Sequence, residues 1–228
     1  MKRTLRRGRA GPVLVIAVMA VILASCGERA TVDTARPVVI FVPGIWDTGG
    51  KFDRMAEALG NAGWQTYEVA LAPNDGSVSL SRLAKDLRKF INGKLGWVRR
   101  FDIVAFSMGG LVARSYVQRL GGLARVDHFV TISTPHHGTV TADLGNLPGF
   151  LDMQPQSAFL TDLNKGVGRL SKLSFTSIWT PLDLIVVPAD SSRLPVGAEV
   201  KLGVLTHNWM VTDRRVIDAV LAALAAKK

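Results

Sequence analysis

Short apolar runs alternate with amphipathic segments along most of the chain. The runs at residues 38–42 and 101–106 are apolar at successive positions and rich in β-branched or aromatic residues, which is typical of strands buried on both faces of a sheet. Weaker patterns of the same kind, bounded by turn residues, predict further strands. The predicted strands are residues 38–42, 65–71, 101–106, 128–133, 175–179 and, at an edge, 200–205.

Apolar residues recur at helical spacing between these strands. The predicted helices are residues 51–62, residues 81–91 with Ser81 as the N-cap, residues 108–120, and a last helix that Asp213 caps and that runs to residue 224. Strands that alternate with amphipathic helices predict a mostly parallel sheet of about six strands with helices on both faces. Residues 140–172 interrupt the rhythm and predict a cap that faces the substrate, although their apolar residues could equally belong to the core.

The first 25 residues have the composition of an export signal. Residues 1–9 hold five basic residues and no acidic one, and residues 12–25 are an uncharged, mostly apolar stretch of 14. That stretch is shorter than the roughly 20 residues that a spanning helix needs, so it predicts a signal peptide. An uncleaved membrane anchor is the alternative.

Cys26 follows directly, and it is the single cysteine of the chain. The sequence Leu23-Ala24-Ser25-Cys26 resembles the lipobox of bacterial lipoprotein precursors. The resemblance implies cleavage before Cys26, acylation of its thiol and, in a Gram-negative cell, attachment to the outer membrane; a buried, unmodified cysteine is the alternative. The predicted organisation is a signal peptide (1–25), a tether that begins at the lipidated Cys26 (26–36) and one exported, membrane-anchored domain (37–228) on the periplasmic or cell-surface side.

Charge and motif spacing exclude several classes of function. The formal net charge is +10, of which the five basic residues of the signal account for half. The remaining basic residues are scattered, whereas nucleic-acid binding needs them clustered on one face. His136 and His137 are adjacent without an acidic partner at metal-ligand spacing, and no glycine-rich phosphate loop or dinucleotide motif occurs. We therefore expect no nucleic-acid partner, no metal and no cofactor.

The strongest chemical signal is Ala105-Phe106-Ser107-Met108-Gly109, between a predicted strand and a predicted helix. This is the context of a nucleophile elbow, in which a sharp turn exposes a serine hydroxyl above the sheet. The positions two before and two after the serine must be small, as Ala105 and Gly109 are. A serine that only caps the helix is the alternative. From residue 37 to residue 224 the chain resembles the lipases and esterases of the α/β-hydrolase fold, in particular small bacterial lipases with an Ala-x-Ser-x-Gly motif.

The fold that this resemblance implies places an oxyanion hole beside the serine. One donor is the backbone N–H of Met108, the residue after the nucleophile. By resemblance Ile45 supplies the second N–H, in the loop after the first strand, where Pro43 replaces the histidine common in the family. That replacement leaves open how the loop is braced, and an ordinary Pro-Gly turn is the alternative. Trp46 is a candidate substrate contact in the same loop.

In this fold the triad follows the order serine, acid, histidine. Of the four histidines, His207 alone follows both acid candidates, so it is the expected base. Asp183 lies just past the strand at 175–179, and Asp190 seven residues later is the alternative acid. The segment with His136 and His137 resembles one found in many lipases, so both are candidate substrate contacts, with a structural role equally open.

These residues predict a serine hydrolase that cleaves a carboxylic ester or lipid through an acyl-enzyme on Ser107, with His207 as base and Asp183 orienting it. An acyltransferase, a thioesterase or an amidase with the same triad is the first alternative, because fold and triad do not fix the substrate. A lipoprotein that only binds a ligand is the second; the presence of all three triad members argues against it.

Overall fold

The computed structural model describes residues 36–97 and 99–226, so the predicted signal peptide and Cys26 lie outside the described residues. The strands are β1 (Val38–Val42), β2 (Gln65–Glu68), β3 (Phe101–Phe106), β4 (Val126–Ile132), β5 (Ser174–Trp179) and β6 (Ala198–Lys201). They form one six-stranded sheet in the order β2-β1-β3-β4-β5-β6, and every neighbouring pair is parallel. The predicted parallel sheet of about six strands is confirmed.

Five helices occupy connections between the described strands, and a sixth follows the last strand. They are α1 (Asp53–Asn61), α2 (Leu80–Leu95), α3 (Met108–Arg119), α4 (Pro148–Met153), α5 (Ala158–Lys165) and α6 (Arg214–Ala225). Asp213 caps α6 as predicted, because its carboxylate accepts the N–H of Arg215 at 2.9 Å. The predicted cap of α2 is wrong: Ser79, not Ser81, accepts the N–H of Arg82.

One hydrophobic core lies between the sheet and the helices α1 and α6. Its members from the strands alternate along each of them, as Val39 and Phe41 do in β1 and Val104 and Phe106 do in β3. Alternation turns Ile40 and its equivalents toward the other face of the sheet. Helix α3 is buried on nearly all sides, as a helix packed between a sheet and further helices must be.

Strand β6 is shorter than the pattern predicted. It ends at Lys201, whereas the prediction ran from 200 to 205. Beyond it the hydroxyl of Thr180 replaces the strand ladder, since it donates to the carbonyl of Val204 at 2.7 Å and accepts the N–H of Val204 at 3.2 Å. This side-chain contact bends the chain away from the sheet and starts the loop that carries His207.

Residues 140–172 hold α4, α5 and two 3-10 turns, Val140–Leu144 and Val167–Lys172. The segment packs against the preceding elements: Gly149 N donates to Gly76 O at 2.8 Å, and Asp152 accepts the N–H of Leu80 at 2.7 Å. Its apolar residues divide into two groups. Met153, Leu160, Leu163 and Leu170 are buried, whereas Val140, Leu144, Leu147 and Leu151 are exposed.

Candidate active site

Ser107 occupies the single position between β3 and α3. Its φ of +53° lies in the left-handed region, which non-glycine residues rarely adopt. The turn is held by two backbone bonds, from Ser107 N to Ile132 O at 2.9 Å and from Gly110 N to Ser107 O at 3.0 Å. A strained serine at the carboxyl end of a central strand is the kind of outlier that accompanies functional sites.

The backbone passes so close to this turn that only glycine fits at position 109. A Cβ atom there would lie 2.3 Å from the carbonyl oxygen of Pro43 and 2.5 Å from that of Val42. The size requirement that the sequence pattern implied at Gly109 therefore has a direct cause in the structure: α3 begins against the end of β1.

The structure brings Ser107, His207 and Asp183 together. His207 Nε2 lies 2.9 Å from Ser107 Oγ, and His207 Nδ1 lies 2.8 Å from Asp183 Oδ2. A carboxylate only accepts hydrogen bonds, so Nδ1 carries the proton and the Nε2 lone pair is left to accept the hydrogen of the serine hydroxyl. This is the tautomer that a general base for Ser107 requires.

Asp183 is held in its charged form. Its Oδ1 accepts the backbone N–H groups of Ile185 and Val186, both at 2.9 Å. Burial by itself would raise the pKa of this carboxyl group, but the bond from the ring of His207, the charge on that ring and the two backbone bonds together lower the pKa below its ordinary value. Asp183, and not Asp190, is thus the carboxylate in contact with His207; Asp190 is exposed at the rim of a separate cavity.

Residues 43–47 form the loop beside Ser107, where the sequence predicted an oxyanion hole at Ile45. The side chain of Asp47 accepts the N–H of Gly44 at 2.9 Å. Asn74 clamps the loop from outside, since its Nδ2 donates to Asp47 O at 2.7 Å and to Gly44 O at 3.3 Å, and its own carbonyl accepts the N–H of Trp46 at 3.0 Å. These bonds brace the loop in which Pro43 replaces the histidine that is common in the family.

Sequence reasoning missed Asp47 and Asn74. Asp and Asn side chains often form hydrogen bonds with backbone groups a few residues away. The Asp three residues after Gly44 could therefore have been identified from the sequence. Asn74 lies 27 residues further along the chain, and the pattern around it contains nothing that points to the loop.

A lysine joins this loop to the one that carries His207. Lys51 Nζ lies 3.0 Å from Asp47 Oδ1 and 3.3 Å from Asn208 Oδ1. It also stands 5.1 Å from the centre of the Phe106 ring, and the other neighbour of that ring is His207, with ring centres 4.7 Å apart. His207 and the loop after β1 are therefore braced by the same side chains.

His136 is a correction to the sequence prediction. It has no exposed surface, and therefore it does not contact a substrate in this structure. Its Nδ1 lies 3.4 Å from Arg114 Nη1, so Nε2 carries the proton and donates to Thr131 Oγ1 at 3.1 Å. Burial first, and the charge of Arg114 second, holds the pKa of His136 well below its usual range, so the ring is neutral and structural.

His137 and Trp46, the other candidate substrate contacts, are exposed. His137 lines a cavity of about 910 Å³ between α5 and residues 188–193. Trp46 packs on Phe150 of α4, with 5.8 Å between the ring centres. The substrate roles of both stay predictions.

Several exposed apolar side chains lie in the segments that follow the sheet strands. They follow the carboxyl ends of β1, β4, β5 and β6, the sheet edge at which Ser107 lies: Trp46, Val140, Leu144, Leu147, Leu151, Leu182, Leu184, Ile185, Leu205 and Trp209. Within residues 36–97 and 99–226 no group of histidine, cysteine and acidic side chains could hold a metal ion. No helix in the same described part combines the length and apolar character needed to cross a membrane.

Solved structures with this fold include several lipases and esterases. A lipase of Bacillus licheniformis in its mature form superposes with a TM-score of 0.69 at 18% identity, over 86% of this chain and 95% of the other. Lipase B of Aspergillus fumigatus gives 0.73 at 21% identity, over 86% of this chain and 54% of the other. A carboxylesterase of the archaeon Nitrososphaera gargenis gives 0.64 at 14% identity, over 86% and 92%. At these identities the likeness shows the α/β-hydrolase fold alone.

Comparison with curated protein sequences gives no significant match. A family model does match, over residues 37–181, which is more than half of the chain. The matched range contains Ser107 and the loop at 43–47 and ends before Asp183 and His207, so the contacts of those two residues rest on the structure. The chain is a member of the palmitoyl protein thioesterase family and has the α/β-hydrolase fold.

Proposed function

We propose that the protein hydrolyses acyl esters through a covalent acyl-enzyme on Ser107, with His207 as general base and acid and Asp183 as its orienting carboxylate. The observation that carries the proposal is the unbroken chain of contacts from Ser107 Oγ to His207 Nε2 at 2.9 Å and from His207 Nδ1 to Asp183 Oδ2 at 2.8 Å.

The reaction takes place in two halves. Ser107 Oγ attacks the acyl carbon while its proton passes to His207 Nε2; the tetrahedral intermediate then expels the alcohol or thiol, which takes that proton from His207. A water molecule gives a proton to His207 and attacks the acyl-enzyme, and the second intermediate releases the carboxylic acid and restores the serine. Asp183 stabilises the imidazolium that forms twice in this cycle.

The negative charge of each intermediate falls on the former carbonyl oxygen. We assign its stabilisation to the backbone N–H groups of Met108 and Ile45, the first at the start of α3 and the second in the loop braced by Asp47 and Asn74. A donor of this kind contributes on the order of 10²–10³ in rate. The partial positive charge at the beginning of α3 adds to the effect.

The expected substrate carries a long apolar acyl chain, because exposed leucine, isoleucine and tryptophan side chains follow the strand ends at the sheet edge where Ser107 lies. Membership of the palmitoyl protein thioesterase family favours a thioester, and the named lipases and carboxylesterase with the same fold favour an oxygen ester. Both pass through the same acyl-enzyme, so ester and thioester hydrolysis are the two candidate activities.

The decisive assay measures hydrolysis of p-nitrophenyl esters of graded chain length, and of a palmitoyl oxygen ester beside the matching thioester. We expect activity in the wild type, an increase with chain length, and a fall to background in Ser107→Ala. Ser81→Ala, an exposed serine in α2, is the matched control and should retain full activity. Full activity of Ser107→Ala would reject the proposal. Ester products formed with added alcohol would instead identify an acyltransferase.

We also propose that the protein is exported and anchored through an acylated Cys26, on the lipobox-like sequence at 23–26. Two or more acyl chains give stable membrane attachment. Labelling of cells with a radioactive fatty acid should mark the wild type and leave Cys26→Ser unmarked. A membrane-bound, labelled Cys26→Ser protein would contradict the proposal.

A further inference from the structure

An exposed tryptophan lies among arginines at the amino edge of the sheet, the edge opposite Ser107. Trp97 is 75% exposed in the loop between α2 and β3. Around it the guanidinium of Arg99 donates to the carbonyl of Arg36, and Arg125 Nη2 donates to Gly96 O at 2.6 Å. We call Arg36, Trp97, Arg99, Arg100 and Arg125 the amino-edge patch.

The patch is positively charged. Its four arginines face two carboxylates: Asp127, which binds Arg100 through its Nε at 3.0 Å, and Asp102, which is bound to His128 at 2.8 Å. A cavity of about 410 Å³ is lined by Arg36, Arg99 and Arg100 and also by both carboxylates, Asp102 and Asp127. It is wide enough for a phosphate group, and guanidinium groups are well suited to bind phosphate oxygens.

The patch lies where the chain enters the sheet. Arg36 is two residues before β1, and Cys26 is ten residues before Arg36. A chain of ten residues spans at most roughly 33–36 Å, so an acyl group on Cys26 would hold Arg36 within that distance of the bilayer. Tryptophan and arginine are the residues enriched where proteins meet lipid headgroups, the first at the interface and the second on anionic lipids.

We propose that the amino-edge patch rests on anionic phospholipid headgroups of the membrane that holds the anchor, so that the edge with Ser107 points away from that membrane. This inference rests on the anchoring at Cys26 proposed above, and not on the ester chemistry. Strand β3 alone separates the two edges by about 20 Å, from six residues at 3.3 Å each. The anchored protein would then take its substrate from the side facing away from its own bilayer.

Site-specific fluorescence tests this orientation. Trp97→Cys and, as the matched control at the opposite edge, Trp209→Cys are made in the full-length protein, and acylation of Cys26 leaves the new cysteine as the single free thiol. Each protein is purified from the membrane fraction, labelled with a thiol-reactive fluorophore and reconstituted into vesicles that contain headgroup-nitroxide lipids, with about 30% phosphatidylglycerol or with phosphatidylcholine alone.

In the phosphatidylglycerol vesicles we expect quenching at position 97 to exceed quenching at position 209 at least about threefold. The excess should shrink in phosphatidylcholine, in about 0.5 M salt and in Arg100→Gln, since each arginine near an anionic surface contributes about fivefold in binding. Equal or stronger quenching at position 209 would overturn the proposal, as would a wild-type protein whose Cys26 accepts the label. Ester hydrolysis, measured on the same vesicles, reports on the proposed function separately.

Discussion

The ammonium group of Lys51 lies 3.0 Å from the carboxylate of Asp47, and both side chains are mostly buried beside Ser107. One carboxylate oxygen of Asp47 forms the ion pair with Lys51, and the other accepts a hydrogen bond from the N–H of Gly44. The ion pair therefore holds the peptide group between Pro43 and Gly44 in place. The next residue is Ile45, and we assign the N–H of Ile45 to the oxyanion hole. A change at Asp47 alters the position of that donor and removes no triad residue, but it also releases Lys51, which contacts Asn208 beside His207.

Asp47→Ala should lower kcat about 10- to 100-fold and leave KM within about twofold, because misplacing an oxyanion donor costs less than removing it and affects the transition state alone. Lys51→Met should have a smaller effect in the same direction. Steady-state kinetics with a p-nitrophenyl ester, and the rate of inactivation by a phosphonate that mimics the tetrahedral state, measure both. Asp86→Ala, which breaks the exposed ion pair with Arg82, is the control. An effect on KM with kcat unchanged would refute the bracing role.

Gly109→Ala should lower the free energy of unfolding by at least about 2 kcal/mol, because the added methyl group meets the carbonyls of Val42 and Pro43 and neither backbone can retreat. Urea unfolding measures the change. Gly93→Ala is the matched substitution: it lies in α2 with open space around it, and should raise stability by about 0.5–1 kcal/mol. Equal effects of the two substitutions would show that close approach at Gly109 is not what excludes a side chain.

The central elements could be read from the sequence because local signals agree there. Strand β3 and the start of α3 lie where they were predicted, since an apolar run, a serine turn and two glycines mark the boundary. The start of α2 was less determined, because Ser79 and Ser81 are both good caps. The choice depends on Asp152, which accepts the N–H of Leu80 from 72 residues away, and a local pattern contains no trace of it.

The candidate site likewise combines residues that a local sequence signal marks with residues that only the fold determines. The order of serine, acid and histidine predicted Ser107 and His207, which the structure brings into contact, but two carboxylates satisfied it. Asp183 occupies the site because the N–H groups of Ile185 and Val186 hold it there, a turn geometry that composition does not reveal. For His136 the sequence left a substrate contact and a structural role equally open for a related reason: its neighbour Arg114 is buried on α3, and only the fold places them together.

Asp183→Asn should reduce kcat about 10⁴-fold with little loss of stability, because an amide can no longer stabilise the imidazolium and favours the wrong tautomer of His207. Asp190→Asn, at the alternative acid, should keep kcat within about twofold, since its carboxylate is exposed and apart from His207. Kinetics of the two variants on one ester decide the matter. Comparable losses of kcat in both variants would mean that contact with His207 does not identify Asp183 as the acid of the triad.

His128, at the amino edge of the sheet, should make the stability of the fold depend on pH. The bond from Asp102 is the largest influence on His128; it raises the pKa of the ring against the opposing effect of burial, and the carbonyl of Ala226 and nearby carboxylates add to the rise. A histidine whose pKa is raised on folding stabilises the protein fully below its unfolded value near 6.5, and the contribution disappears as the pH rises through the folded value.

His128→Gln should therefore cost about 1 kcal/mol near pH 5.5, and clearly less near pH 9, where the wild-type ring is neutral as well. Urea unfolding at the two pH values measures the difference. Asp102→Asn supplies the control, because His128 then lacks the partner that raises its pKa most. When His128→Gln is added to Asp102→Asn, the further loss in the free energy of unfolding should vary little with pH. A cost that grows toward high pH would contradict a folded ring that carries two protons and donates to both Asp102 and the carbonyl of Ala226.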